Sequence, residues 1–204
     1  MTATAAPLAK SRIGLKNMVI APLTSDTEAG VSYGQLQLVA GSIEASITPE
    51  NNDPDVQYAD DVEWDVVYPD PEITFNTTLV DLPLSLQQQI LGNALDKNGV
   101  LIKKATDEPG YFAVGFQSEK SNHKYRYVWL YKVRARPITE NFGTKEGSTI
   151  NRQTQEVEWT AVPRIYDGQY QAVADEGEND FTTEDGASFL SSVYEADFSA
   201  STGG

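Results

Sequence analysis

The stretch YFAVGFQSEKSNHKYRYVWLYKVRAR, residues 111–136, decides the fold class of this chain. It contains two segments rich in aromatic and β-branched residues, 111–119 and 124–136, and this composition favours strands. A short polar segment, Lys120 to His123, separates them and is typical of a turn. The stretch therefore predicts a long β-hairpin.

The second strand of this hairpin is apolar on both of its faces. Trp129 and Tyr131 alternate with Val128 and Leu130, so neither face offers a continuous polar surface to water. We expect both faces to be covered, either by another element of the chain or by another subunit. We place Trp129 and Tyr131 at a contact between subunits.

Outward from the hairpin, alternating or β-branched segments predict further strands on both sides. These segments are 14–23, 35–39, 42–47, 62–68, 72–82, 100–102, 154–165 and 169–174. Two segments with apolar residues at helical spacing predict short helices, at about 82–92 and within 181–194. The chain is therefore expected to be mainly β with short helices.

The remaining segments predict loops and terminal arms. Proline, asparagine and aspartate are concentrated at 48–61, and glycine and proline recur at 137–151, which predicts two long loops. Residues 1–12 and 196–204 are small, polar and aperiodic, so we expect an N-terminal arm and a C-terminal tail. The 204-residue length fits one domain, which we place at 13–195.

The charge is strongly acidic and unevenly distributed. Thirty acidic against fifteen basic residues give a net charge of −15, which argues against tight binding of nucleic acid. Residues 97–136 nevertheless hold nine of the fifteen basic side chains. Such blocks can form charged zones on an assembled surface, or they can be simple solvated faces.

Catalytic and targeting signals are absent from the sequence. There is no cysteine, the single histidine is His123 in the predicted turn, and no nucleotide-binding motif occurs. We therefore predict a protein that is not an enzyme and has no cofactor. Hydropathy predicts neither a signal peptide nor a membrane span, so we expect synthesis in a cytoplasm and no membrane association.

An acidic segment leaves one metal hypothesis open. Oxygen ligands suit a hard cation such as Ca²⁺, but these carboxylates lack the spacing of a known loop, and a solvated loop is the simpler interpretation. The residues are Asp53, Asp55, Asp60, Asp61 and Glu63.

Several segments resemble the major tail protein, or tail tube protein, family of long-tailed bacteriophages. The segments that carry the resemblance are IGLKN at 13–17, APLT at 21–24, GSIEASI at 41–47, DLPL at 81–84, DKNGVLIKK at 96–104 and KYRYVWLYK at 124–132. Their order and spacing agree with the family over about 13–195. Segment 61–68 is more apolar than the family pattern.

The resemblance implies a structural virion protein of the phage tail, with a β-sandwich or partial barrel as its subunit fold. Six copies would join their sheets into a ring, and stacked rings would form the tube through which DNA reaches the host. The implied partners are further copies of the chain, the tape measure, tail terminator and distal tail proteins, and passing DNA that is not bound tightly.

The resemblance also suggests which residues face the lumen and which form contacts. A wall that bound phosphate tightly would hold DNA back, so we expect lumen-facing acids at Glu44, Glu63 and Glu72. The basic block 97–136 would then lie away from the bore, against acidic surfaces of neighbours. Besides Trp129 and Tyr131, the candidate subunit or ring contacts are Asp53, Tyr58 and Trp64.

Two other functions remain open. In a β-sandwich carbohydrate-binding or adhesion module, Trp64, Tyr68 and Trp129 would stack on sugars. An acidic mimic of DNA is suggested by the net charge, but the basic block would interrupt its acidic face.

Overall fold

The computed structural model describes residues 10–50, 55–59, 61–67, 72–140, 142–144, 153–178 and 180–198. Within these residues the chain forms thirteen strands and two helices. The strands are β1 Arg12–Thr27, β2 Gly30–Tyr33, β3 Gln37–Leu38, β4 Ser42–Glu50, β5 Asp55–Ala59, β6 Val62–Val67, β7 Glu72–Leu79, β8 Ala94–Leu95, β9 Leu101–Ile102, β10 Tyr111–Lys120, β11 Tyr125–Ala135, β12 Gln155–Ala161 and β13 Gln171–Asp175. The helices are α1 Leu84–Leu91 and α2 Thr183–Phe189.

Nine of the strands form one antiparallel sheet around the predicted hairpin of β10 and β11. The strand order is β2-β1-β10-β11-β12-β7-β4, while β13 pairs with β11 and β3 pairs with β1. β12 and β13 lie one after the other along the same edge of β11, through Ala135 to Val133 and through Leu130 to Arg126 respectively. The sheet does not close into a barrel. The expectation of a mainly β, sandwich-like fold is confirmed.

The sheet folds over one apolar core because its strands alternate apolar and polar residues. In β7, Ile73, Phe75, Thr77 and Leu79 are buried, and the residues that alternate with them face outward. Phe75 stacks on Phe116 of β10 with ring centroids 6.0 Å apart, which joins the two halves of the sandwich. Burial of this alternating set fixes the register of the strands, because a one-residue slip would turn it toward water.

Helix α1 closes one side of the core, and the prediction of a mid-chain helix is confirmed. Ile90 and Leu91 are buried, and the helix ends at Gly92, whose φ of 69° is left-handed. A Cβ at this position would lie 2.3 Å from the carbonyl oxygen of Glu108, so only glycine fits. Pro83 occupies the N-cap position, and the Asp81 carboxylate accepts from the N–H of Leu82.

Two boundaries differ from the sequence-based expectation. The predicted loop 48–61 is partly strand, because β4 continues to Glu50 and residues 55–59 form β5. Pro49 is tolerated because β4 is an edge strand, where a missing N–H need not break a pair. The segments 154–165 and 169–174 contain the shorter strands β12 and β13, which both pair with β11.

Candidate assembly surfaces

The second apolar face of β11 is covered by the subunit itself. Trp129 and Tyr131 are each 0% exposed, and the residues that pack over them come from β2, β13, α2 and the segment after α2. The indole N–H of Trp129 donates to the carbonyl oxygen of Phe189 at 2.9 Å. The prediction that Trp129 and Tyr131 form a subunit contact was therefore wrong, because elements of the same chain bury both side chains.

A buried arginine, Arg164, connects several segments of the chain on this side of β11. The Arg164 side chain is fully buried, with its guanidinium carbon 4.0 Å from the ring centroid of Tyr131. It donates to both carboxylate oxygens of Asp167, to Glu195 at 2.7 Å and to the Tyr33 hydroxyl at 3.3 Å. Burial raises the pKa of Tyr33 to about 12, so its hydroxyl stays protonated at neutral pH. The arrangement joins distant segments and leaves no activated nucleophile.

A second charged group, the ion pair of Asp26 and Lys132, connects β1 to β11. The Asp26 carboxylate accepts from the Lys132 ammonium at 2.6 Å and from the backbone N–H groups of Ile165 and Tyr166 at 3.0 and 3.1 Å. Burial alone would raise the pKa of Asp26, but these hydrogen bonds outweigh it and hold the pKa below its ordinary value of 3.8. The pair therefore stabilises the fold only while Asp26 is ionised.

These contacts predict that acid destabilises the subunit. The Arg126 hydrogen bonds likewise lower the pKa of Asp175, despite the opposing effect of burial. A carboxylate with a depressed folded-state pKa contributes stability above its unfolded pKa of about 3.8 and loses it as pH falls through the folded value. We expect the urea midpoint to be lower at about pH 3 than at about pH 7.

Asp26→Asn is the matching control for the acid experiment, because it removes one of the titrating groups. Its stability at neutral pH should fall below that of the parent, and the difference between the two pH values should shrink. A urea midpoint that is independent of pH in the parent would contradict the assignment.

The outward face of β4, β7 and β12 is acidic and otherwise made of small polar residues. Glu44 pairs with Thr78 across β4 and β7, and Glu50 pairs with Glu72, so all of these share one face. The same face continues across β12, where Glu156 and Glu158 lie opposite Thr78 and Asn76. Three strands thus bring five glutamates together among threonine, serine and asparagine. We name this surface, Glu44, Glu50, Glu72, Glu156 and Glu158 with their neighbours, the acidic face.

The predicted lumen acids divide between two parts of the structure. Glu44 and Glu72 lie on the acidic face, whereas Glu63 belongs to β6 in a separate hairpin. Sequence reasoning missed Glu156 and Glu158 as members, although their alternation with buried Val157 and Trp159 is a detectable signal. Only the strand pairing shows that β12 and β4 lie on either side of β7, so that their outward residues share one face.

Two arginines border the acidic face, Arg134 opposite Thr160 and Arg136 beside Glu158. Arg136 pairs with Glu158 at 2.6 Å and with Glu72 at 3.1 Å, and all three side chains are about half exposed. Other cations of the block 97–136 also pair within the subunit, Lys103 with Glu140 and Lys120 with Asp175. Acids of the same chain therefore already pair with these side chains, and contact of the block with acidic surfaces of neighbouring subunits stays a prediction.

The hairpin of β5 and β6 presents large apolar side chains to solvent. Its two strands form a sheet of their own, and Tyr58 and Trp64 are 65% and 70% exposed. Val62 and Val67 are also exposed on the same hairpin. Asp53, the other contact residue predicted in this region, lies outside the described residues. An apolar surface of this kind is typical of an interaction site.

Metal-ligating side chains are not clustered in the described part of the chain. It contains no group of three or more histidine, aspartate or glutamate side chains arranged to hold a metal ion. Asp53 and Asp60 of the cation hypothesis lie outside this part. His123 is an exposed turn residue with φ of 61°, and its Nδ1 lies 3.4 Å from Glu119. In the same described ranges, each helix is too short or too polar to cross a membrane.

The chain is thus a mainly β, sandwich-like protein with an exposed acidic face and an exposed apolar hairpin. A family model described as phage tail tube protein matches residues 16–194. The chain therefore belongs to the phage tail tube protein family, whose members are structural proteins of the virion tail. The resemblance found in the sequence is confirmed. Comparison with curated proteins gave no match.

Proposed function

We propose that this protein assembles into stacked rings of six subunits that form a tail tube and deliver DNA to the host. The acidic face carries this proposal. It combines a continuous three-strand surface and five glutamates with an edge of β4 that no other described strand pairs with. Membership of the tail tube family supports the assembled state.

Lateral joining of subunits uses the free edge of β4. This edge is nine residues long, and an unpaired strand edge of that length is a template for pairing with another chain. Exposed Ile43 beside this edge adds an apolar contact. Pairing β4 with the sheet of the next copy extends the acidic face from one subunit to the next around the ring.

The acidic face then lines the bore. Passing DNA meets carboxylates and small hydroxyl side chains, which repel phosphate or hydrate it without binding. Arg136 does not reverse this sign, because Glu72 and Glu158 already hold it. The tube wall therefore guides the polymer with little friction.

The remaining contacts and partners follow from this arrangement. The exposed hairpin of β5 and β6 contacts a neighbouring copy through Tyr58 and Trp64, and residues 13–195 act as one domain. The ends of the tube meet the tape measure, tail terminator and distal tail proteins. The subunit is synthesised in the host cytoplasm before it joins the virion.

Charge reversal on the acidic face tests the proposal. Glu44 is exposed at the sheet edge, so Glu44→Lys should leave the fold intact while it adds a phosphate contact in each subunit. We expect particles with this variant to eject DNA more slowly, and the delay to shrink as salt is raised. Glu28→Lys, outside the acidic face, is the charge-matched control. Equal ejection rates for parent, variant and control would contradict an acidic bore.

The exposed Trp64 also fits the alternative of a carbohydrate-binding or adhesion module. Trp129 no longer supports that function, because it is fully buried. Binding of sugars by a protein that stays monomeric at high concentration would favour the module over the tube.

A further inference from the structure

The hairpin of β8 and β9 exposes large apolar side chains, as the hairpin of β5 and β6 does. Its two strands pair only with each other in the described part of the chain. Leu95, Val100 and Ile102 are all exposed on this small sheet. Two outlying hairpins with exposed apolar side chains indicate two interaction surfaces on one subunit.

The two hairpins differ in the sign of their charge. The chain has no lysine or arginine between Lys16 and Lys97, so every charged residue of the β5–β6 hairpin is acidic. Among these acids, Asp61 and Asp65 are exposed. The segment from Lys97 to Lys104, in contrast, contains three lysines and no acid. The two apolar surfaces are therefore electrostatically complementary.

The charge of Lys97 is available to an acid from outside the subunit. Lys97 is exposed and forms no ion pair with another residue of the described ranges. The adjacent Asp96 carboxylate instead accepts from the backbone N–H groups of Asn98 and Val100, each at 2.8 Å. The turn of the β8–β9 hairpin thus presents an unpaired cation beside exposed apolar side chains.

The two hairpins lie at opposite ends of β7. The β5–β6 hairpin connects Glu50 to Glu72, and these two residues pair where β7 begins. The β8–β9 hairpin is held beside the other end, because Lys103 pairs at 2.7 Å with Glu140, which lines a groove with Val80 just after β7. Both hairpins stay exposed in the subunit, so neither one covers the other.

The proposed joining of copies at the edge of β4 determines where these two ends point. Strands of neighbouring copies then lie side by side around the ring, and their ends face the rings above and below. The β5–β6 hairpin of a subunit faces one adjacent ring, and its β8–β9 hairpin faces the other.

We infer that, in the assembled tube, the β5–β6 hairpin of one subunit docks on the β8–β9 hairpin of a second copy in the next ring. This contact rests on the proposed function and names the acceptor for the exposed β5–β6 hairpin. Val62 and Trp64 pack on the apolar side chains of the acceptor, while Asp61 and Asp65 lie near Lys97. Because the two surfaces differ, the contact is heterologous and propagates along the stack.

Cysteine cross-linking tests this contact, because the chain contains no cysteine. In Val62→Cys with Val100→Cys, a short bismaleimide should link successive copies of assembled tubes into a ladder that passes six copies. A mixture of the two single variants should give linked dimers and nothing larger. Val62→Cys with Val173→Cys is the matched control, because Val173 of β13 is 52% exposed and Val100 is 50% exposed. The control should give no ladder.

The outcomes separate this contact from the proposed function. Tubes in electron micrographs without a ladder overturn the contact alone. Links confined to single subunits, a ladder that ends at six copies, or an equal ladder in the Val173 control also overturn it. Failure of the parent protein to assemble overturns both the contact and the proposed function.

Charge reversal gives a second readout. Lys97→Glu and Asp65→Lys each place like charges at the contact, and both side chains are exposed, so the subunit should still fold. Each single variant should need about two- to fivefold more protein to form tubes, because an exposed ion pair is worth about that factor. The double variant restores opposite charges and should assemble near the parent's concentration. A double variant that assembles no better than the single variants, or four equal thresholds, would contradict the contact.

Discussion

Trp129→Ala is expected to destabilise the isolated subunit by about 3–5 kcal/mol, a large share of the stability of an ordinary domain. The side chain is fully buried, and its removal leaves a cavity between β11 and α2. It also leaves the carbonyl oxygen of Phe189 without its donor. Urea unfolding followed by tyrosine fluorescence measures the loss.

The matched control for this change is Trp64→Ala. The same residue type is removed from a site that is 70% exposed, so the free energy of unfolding should change by no more than about 0.5 kcal/mol. If Trp129→Ala is as stable as Trp64→Ala, the packing of α2 over β11 is incorrect.

The second large effect is expected in assembly and not in folding. Tyr58→Ser combined with Trp64→Ser removes the two exposed aromatics of the β5–β6 hairpin. Aromatic anchors at protein interfaces cost about 2 kcal/mol or more each when truncated. Two such losses raise the concentration needed for assembly about a thousandfold. Sedimentation of tubes over a range of protein concentrations measures this threshold.

Tyr166→Ser provides the comparison for the hairpin variant. Tyr166 is also an exposed aromatic residue, but it lies in the connection between β12 and β13. Its loss should leave the assembly threshold within a few fold of the parent. An unchanged threshold in the double variant, with its fold intact, would remove the hairpin from the proposed contacts.

Local sequence patterns predicted much of the fold because the deciding interactions are local. The β10–β11 hairpin has a short polar turn between two strongly apolar strands, and the Asn98-Gly99 turn joins β8 to β9. Helix α1 is predicted by leucines at helical spacing and by Gly92, because a left-handed residue at the end of a helix is usually glycine. None of these needs information from distant parts of the chain.

The errors concern contacts between segments far apart in the sequence. The apolar second face of β11 indicated a cover, but the cover is Phe189 and its neighbours, sixty residues after Trp129. Local pattern cannot distinguish such an element from a second subunit. The acidic face also depends on distant segments. Glu44 and Glu156 lie on either side of Thr78 only because β4 and β12 both pair with β7. The periodicity of a strand predicts which of its residues are buried. Which strands lie beside it depends on long-range pairing, which local sequence does not show.

Cryo-electron microscopy of tubes assembled from the purified protein tests the central claim most directly. The account predicts stacked rings of six subunits, with β4, β7 and β12 around the bore and Glu44 and Glu156 pointing into it. Helix α2, which packs over Trp129 of β11, should lie outside the bore. A protein that stays monomeric, or a bore lined by α2 or by lysine and arginine side chains, would contradict it.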